Sequence, residues 1–201
     1  MSVETGTEAM LTRRREILAQ GAEPIGWKVG FNVPEIQQKL SLDAPLAGFL
    51  TTDSLLEDSW SDYPIVVESE VAVELGPDGR SIAALLPALE LADPPDLDLD
   101  IEQILAGNIF HRAVAFGPRV ETTEPGSGRI LVNGEEQHSV KPGGLEQMVE
   151  AVASRLEAAG EKLRPGERII TGVLAPPYEA QEGDTVRLEL DELGGVELRF
   201  S

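Results

Sequence analysis

The chain has 201 residues and no cysteine, with 36 acidic against 16 basic residues and a net charge of −20. That balance argues against a nucleic-acid binder, which needs a basic footprint, and against docking on anionic lipid. The missing cysteine removes disulfides, thiolate zinc sites, iron–sulfur clusters and cysteine nucleophiles, and two histidines are too few for an all-imidazole metal site.

In chain order, Thr5 to Gln20 reads as an amphipathic helix stopped by Gly21. Its Arg13-Arg14-Arg15 run is expected on a solvated face. Gly26 to Phe31 (GWKVGF) suits a short strand, and Pro34 to Leu40 a short helix with proline near its start. Leu46 to Leu50 is apolar and ends in the polar turn Thr51-Thr52-Asp53-Ser54. Ile65 to Leu75 alternates and is rich in valine, a strand signal closed by Pro77-Asp78-Gly79. Ile82 to Ala92 is apolar, but Pro87 speaks against a helix there.

Asp93 to Asp100 is an acidic connector, and Asp100 caps a short helix through Leu105. Ala113 to Phe116 reads as a strand, and Arg129 to Val132 with Asn133-Gly134 as one arm of a tight hairpin. His138 is expected in a surface loop. Leu145 to Ala159 is the clearest helix, with Leu145, Met148, Val149, Val152 and Leu156 on one stripe. Strands follow at Arg168 to Thr171, Thr185 to Leu190 and Val196 to Phe200. The expected class is α+β with mixed sheets. The expected organisation is an N-terminal helix (1–24) on a single catalytic domain (25–201). No basic stretch leads into an apolar core at the N-terminus. No apolar run approaches the ~20 residues of a membrane helix, so the chain is expected to be soluble and cytoplasmic.

The most informative residues are carboxylates in apolar strands. Glu68 and Glu70 are two apart and leave the same strand face, while Val67, Val71 and Val73 leave the other. One reading is a half-exposed strand with a polar outer face. The other starts from Glu90, which lies in the apolar stretch Leu85 to Leu91, where a charge is costly unless paired or metal-bound. Three carboxylates from two adjacent strands make an all-oxygen site, which suits magnesium or manganese better than zinc.

The ordered motifs GWKVGF, PLAGFLTTDS, VESEVAVEL, LLPALELAD, AGNIFHRAVAFG and LRPGERIITG, running on to the C-terminal strands, resemble the fumarylacetoacetate hydrolase superfamily. More narrowly the chain is similar to its 2-keto-4-pentenoate hydratase and 4-oxalocrotonate decarboxylase branch, over about Ile25 to Phe200. The resemblance implies a mixed β-roll with peripheral helices and a divalent metal (Mg2+ or Mn2+) held by Glu68, Glu70 and Glu90. It places Lys28 and Asp53 in the pocket as catalytic candidates, and Thr171 and Gly172 near a substrate carboxylate. It implies chemistry on 2-keto or 2-hydroxydienoic acids through a metal-stabilised enolate, a small-molecule substrate, a homo-oligomer and a place in aromatic catabolism.

Lys28 is expected as an acid/base whose pKa can fall toward neutrality, or as a carboxylate anchor. A surface lysine with its stem on Trp27 is the plain alternative. Asp53 reads either as a general base or as a turn residue capping Leu55 and Leu56. His111 stands where the branch usually carries small and hydroxyl residues, and reads as a proton relay or as a histidine satisfied by a carboxylate. Arg112 can fork onto a substrate carboxylate or onto Asp93. The leading expectation is a hydratase or decarboxylase. The alternatives are an acylpyruvate-type C–C hydrolase with His111 as base, and a catalytically silent partner subunit.

Overall fold

The computed structural model describes residues 2–96 and 98–201, so Leu97 of the acidic connector lies outside it. Its elements in chain order are α1 (Val3–Ala19), β1 (Pro24–Gly30), α2 (Pro34–Lys39), β2 (Leu46–Thr51), a 3-10 turn (Thr52–Ser54), β3 (Ser59–Trp60), β4 (Val66–Leu75), β5 (Ile82–Ala92), α3 (Ile101–Ala106), β6 (His111–Phe116), β7 (Gly128–Val132), β8 (Glu135–Val140), α4 (Leu145–Ala158), β9 (Arg168–Ile170), β10 (Tyr178–Glu179), β11 (Thr185–Leu190) and β12 (Gly194–Phe200). His138 therefore sits in an exposed strand rather than a loop, because the Asn133-Gly134 turn returns the chain as the second hairpin arm.

Two sheets carry the fold. The larger runs β2-β1-β9-β4-β5-β6, with β10 also on β4; the smaller runs β3-β12-β11-β7-β8. Both are mixed: β1 pairs with β9 in parallel and with β2 antiparallel, and β3 pairs with β12 in parallel. The α+β architecture is as expected.

Alternation along the central strands sorts side chains to two faces. Trp27, Val29, Val67, Val71, Val73, Leu85, Leu89, Leu91 and Ile169 enter the main core, which also takes the apolar stripe of α4 and the inner faces of β11 and β12. The opposite face carries a smaller apolar cluster of Leu50, Ala72, Leu86, Ala88, Val114 and Ile170. Lys28, Glu68, Glu70 and Glu90 occupy positions in phase with this second face. Pro87 fits inside a central strand because its carbonyl accepts from Gly117 N at 2.8 Å, just past the end of β6. Its missing N–H therefore falls where the β5–β6 ladder has stopped.

α1 begins at Ser2, whose hydroxyl accepts from Thr5 N at 3.2 Å. The expectation of a solvated arginine run fails at Arg14, which is 6% exposed. Its guanidinium lies 4.7 Å from the Trp27 ring centroid and 4.0 Å from Glu167 Oε1. One position in three of the run faces the sheet because of helical periodicity. The aromatic face and Glu167 make that burial tolerable.

Candidate metal centre and pocket

The register of β4 on β5 sets Glu68 directly opposite Glu90 and Glu70 opposite Ala88. The three carboxylates each offer an oxygen within 4.8 Å of the others. Glu70 and Glu90 are fully buried and Glu68 is half-buried. Glu70 Oε2 accepts from Gly172 N at 2.5 Å. Its second oxygen, Oε1, is buried with no partner, and so is Glu90 Oε2. Buried polar atoms are almost always satisfied, so two orphaned oxygens in one cluster of three carboxylates fit a hard divalent cation.

Charge in the cluster is uneven. Burial and the neighbouring carboxylates push Glu68 up to about 7 and Glu70 well above the usual carboxylate range. Burial works the same way on Glu90. It is outweighed by the Lys28 ammonium and by His111, which hold Glu90 at about 2. For Lys28, burial favours the neutral amine, but Glu90, Glu68 and Glu70 overcome it and raise its pKa. Among these carboxylates the ammonium form of Lys28 is favoured, opposite in direction to the expected fall toward neutrality. Its plain alternative also fails, since Lys28 leaves β1 on the face opposite Trp27. It donates to Glu90 Oε1, and to the Ile109 carbonyl at 3.1 Å.

That carbonyl comes from an unusual turn. Asn108, Ile109 and Phe110 all have positive φ, at 59°, 52° and 62°. Three successive left-handed residues without glycine are costly, more so with a β-branched side chain among them. Asn108 holds the turn in place: its Oδ1 accepts from Phe49 N at 2.8 Å and its amide donates to Phe49 O at 3.0 Å. Gly48 makes room, because a Cβ there would lie 2.7 Å from Asn108 Oδ1 and 2.8 Å from Lys28 Cγ.

β6 starts two residues earlier than the sequence suggested, at His111. By plain alternation His111 would join Ala113 and Ala115 in the main core. A register shift between Leu91 and Ala92 re-aims it. Its Nδ1 lies 2.8 Å from Glu90 Oε1 and its Nε2 lies 3.0 Å from Ser54 Oγ. Both ring nitrogens are engaged, one by a carboxylate and the other by a hydroxyl.

Other expected residues lie differently. Asp53 is exposed in the 3-10 turn and caps neither leucine, as Leu55 N bonds Thr52 O and Leu56 N bonds Val114 O. Its neighbour Ser54 is the residue that reaches His111. Arg112 forks onto Asp93 at 2.7 Å and Asp62 at 2.6 Å, at the surface. This is the Asp93 pairing, one of the two expected for Arg112, and the residue is absent from the lining of the pocket. The Thr171 hydroxyl is likewise used, donating to Val71 O at 2.9 Å. Gly172 has φ +91°, and a Cβ there would sit 2.4 Å from Asn32. Asn32, Ser54 and Asn108 escaped the sequence reading, since nothing local marks an asparagine or serine whose partner is far along the chain.

Above Lys28 and Glu68 opens a pocket of about 200 Å³, lined otherwise by residues of the β1–α2 segment, the Ile109-Phe110 turn, Ala92, Asp93 and Pro95, and Val173 with Pro177. The arrangement can bind a small acid next to a cation and an ammonium group, in a largely water-poor space.

No family model matches the chain. It is 25% identical to a 2-keto-4-pentenoate hydratase of Paraburkholderia phymatum, over 91% of this chain and 80% of that protein. It is 26% identical to a 2-hydroxyhexa-2,4-dienoate hydratase of Comamonas testosteroni, over 100% of this chain and 87% of that protein. Among solved structures, 4-oxalocrotonate decarboxylase from Pseudomonas putida G7, complexed with magnesium and adipate, superposes with a TM-score of 0.90 at 21% identity, over 100% of this chain and 87% of that one. Fumarylpyruvate hydrolase from Pseudomonas aeruginosa, in complex with Mn2+ and pyruvate, gives a TM-score of 0.64 at 15% identity, over 89% of each chain.

Proposed function

We propose, from the chain's place by sequence and fold in the hydratase and decarboxylase branch of the fumarylacetoacetate hydrolase superfamily, that it is a divalent-metal-dependent lyase. Its substrate in this reading is a short 2-keto or 2-hydroxydienoic acid, to which it adds water or from which it removes carbon dioxide. The observation that carries the proposal is the Glu68/Glu70/Glu90 cluster with two buried, partnerless oxygens beside a charged Lys28.

Magnesium or manganese bound there supplies a Lewis acid for the acid's carboxylate and 2-oxo oxygens. The chain's own groups do the rest. Gly172 N–H fixes one Glu70 oxygen and so aims the other into the site. Lys28, held by Glu90 and the Ile109 carbonyl, keeps a positive charge at the pocket floor, where it draws in an anionic substrate and stabilises negative charge developing next to its carboxylate. The apolar walls limit water around the reacting carbons. Residues 25–201 form the catalytic unit in this reading, with 1–24 as a helix clamped through Arg14 on Trp27. A homo-oligomer, a cytoplasmic location and a role in aromatic catabolism belong to the same proposal. No helix among the described residues is long and apolar enough to cross a membrane.

C–C hydrolysis of an acylpyruvate is less well supported. The relatives at 25% and 26% identity are hydratases, whereas the fumarylpyruvate hydrolase shares 15%. A silent partner subunit leaves the orphaned carboxylate oxygens without a purpose. The test is turnover of 2-keto-4-pentenoate and 2-hydroxyhexa-2,4-dienoate with Mg2+ or Mn2+, with product analysis separating water addition from carbon dioxide loss. Activity that survives complete chelation of the metal would overturn the proposal.

A further inference from the structure

The substrate pocket carries information about the far end of the acid. Away from the carboxylates its wall is hydrocarbon, with Phe31, Val33, Ile36, Phe110, Val173 and Pro177 in the lining. Among the described residues lining it, Lys28 is the one cation, and it stands at the carboxylate end of the pocket, bonded to Glu90 and the Ile109 carbonyl, where the head of the acid lies in this reading. The other charged side chains in the lining are Glu68 and Asp93, both acidic. Asp93 holds Arg112, but that arginine is itself shared with Asp62 and is absent from the lining. The Asn32 amide, the remaining polar side chain of the lining, donates to Val173 O at 3.3 Å.

A second carboxylate placed against this wall sheds its hydration with no counter-ion to replace it, and it meets Asp93 with the same sign. A hydrocarbon tail suffers neither cost and gains from leaving water. We infer that the protein selects acids whose end distal to the 2-oxo group is an uncharged hydrocarbon and rejects those ending in a second carboxylate, with Val33, Ile36 and Phe110 as specificity-determining residues. The inference rests on the metal-site reading above, which fixes where the head of the acid lies. It separates this chain from its solved structural relative that carries adipate, a dicarboxylate. It also favours water addition to a monoacid over loss of carbon dioxide from a diacid.

A matched pair of ligands tests it. 2-Oxohexanoate and 2-oxoadipate have equal carbon chains and differ only in a terminal methyl against a terminal carboxylate. Calorimetric titration into the Mg2+-loaded protein should show 2-oxohexanoate binding at least about tenfold tighter. Ile36→Lys, which places a cation on the wall, should tighten 2-oxoadipate at least about tenfold and weaken 2-oxohexanoate. Val33→Lys makes the same test if Ile36→Lys does not fold. Equal binding of the two acids, or tighter binding of 2-oxoadipate by the parent protein, overturns the inference and leaves the metal site standing. Failure of both acids to bind the metal-loaded protein overturns the reading of the site and the inference with it.

Discussion

The behaviour of Glu90 turns on its neighbours. Its position in an apolar strand predicts a raised pKa, yet Lys28 and His111 hold it at about 2. Removing the cation while leaving the charge should therefore be severe. Lys28→Met is expected to cost about 3–5 kcal/mol of stability, as seen when one partner of a buried pair is deleted. Denaturant unfolding of the metal-free protein measures it, and adding Glu90→Gln should recover a good part of the loss. Glu70 is the opposite case, because burial already favours its neutral form. Glu70→Gln should fold about as well as the parent while losing at least about 100-fold in Mg2+ or Mn2+ affinity and essentially all turnover. Calorimetric metal titration decides it; a Glu70→Gln variant that binds metal normally would remove Glu70 from the site. These roles were partly legible beforehand. The spacing of Glu68 and Glu70 and the apolar context of Glu90 marked all three, but nothing in the local sequence marks which carboxylate Lys28 pairs with.

Loops and strand ends, more than strand interiors, shape the site at the level of elements. The Asn108-Ile109-Phe110 turn stays in its left-handed form because Asn108 bonds both backbone groups of Phe49 in β2. Asn108→Ala leaves a buried N–H and a buried C=O unpaired, at about 1–3 kcal/mol each. It also frees the carbonyl that orients Lys28. We expect lower stability by thermal or chemical unfolding, together with a fall in kcat; Asn108→Asp, which keeps the acceptor alone, should be intermediate. α1 offers a contrast. A Cβ at Gly6 would lie 2.9 Å from the Glu102 Cα and the Leu105 Cβ of α3. Gly6→Val should therefore push the two helices apart at about 1–3 kcal/mol while leaving metal affinity unchanged, since neither helix supplies a ligand. The sequence marked both helices, including the Asp100 cap that the structure shows as a full capping box with Gln103. It did not mark their close approach, because a glycine inside a helix has no local signature of contact.

For the molecule as a whole, the carboxylate cluster couples stability to pH. Glu68, at about 7, and Glu70 bind protons more tightly folded than unfolded. A carboxylate raised in this way stabilises the fold fully below its unfolded value near 4.5 and loses that contribution as pH rises through the folded value. Glu90 acts oppositely, but its contribution is lost only as pH falls from about 4.5 through about 2. Between about pH 5 and pH 8 the metal-free protein should therefore melt at progressively lower temperature. A divalent cation that takes the place of the protons should raise the midpoint more at about pH 8 than at about pH 5. Scanning fluorimetry with and without Mg2+ checks it, and a stabilisation by metal that is equal at both pH values would break the coupling.

What the sequence determined by itself was the set of things that depend on near neighbours. Strand alternation put Glu68 and Glu70 on one face, helical periodicity defined α4, the Asn133-Gly134 turn defined a hairpin, and composition argued against thiolate and all-imidazole metal sites. Tertiary structure decided whatever depends on register and approach. The β4–β5 register set Glu90 opposite Glu68. A bulge turned His111 toward Glu90, and the β1 strand delivered Lys28 to the same carboxylate. It also paired Arg112 with Asp93, bonded the Thr171 hydroxyl to the Val71 carbonyl and buried Arg14. The physical reason is the same in each case. The energy of a buried charge depends on which distant groups surround it, and a one-residue shift of pairing changes those groups while leaving the local pattern intact.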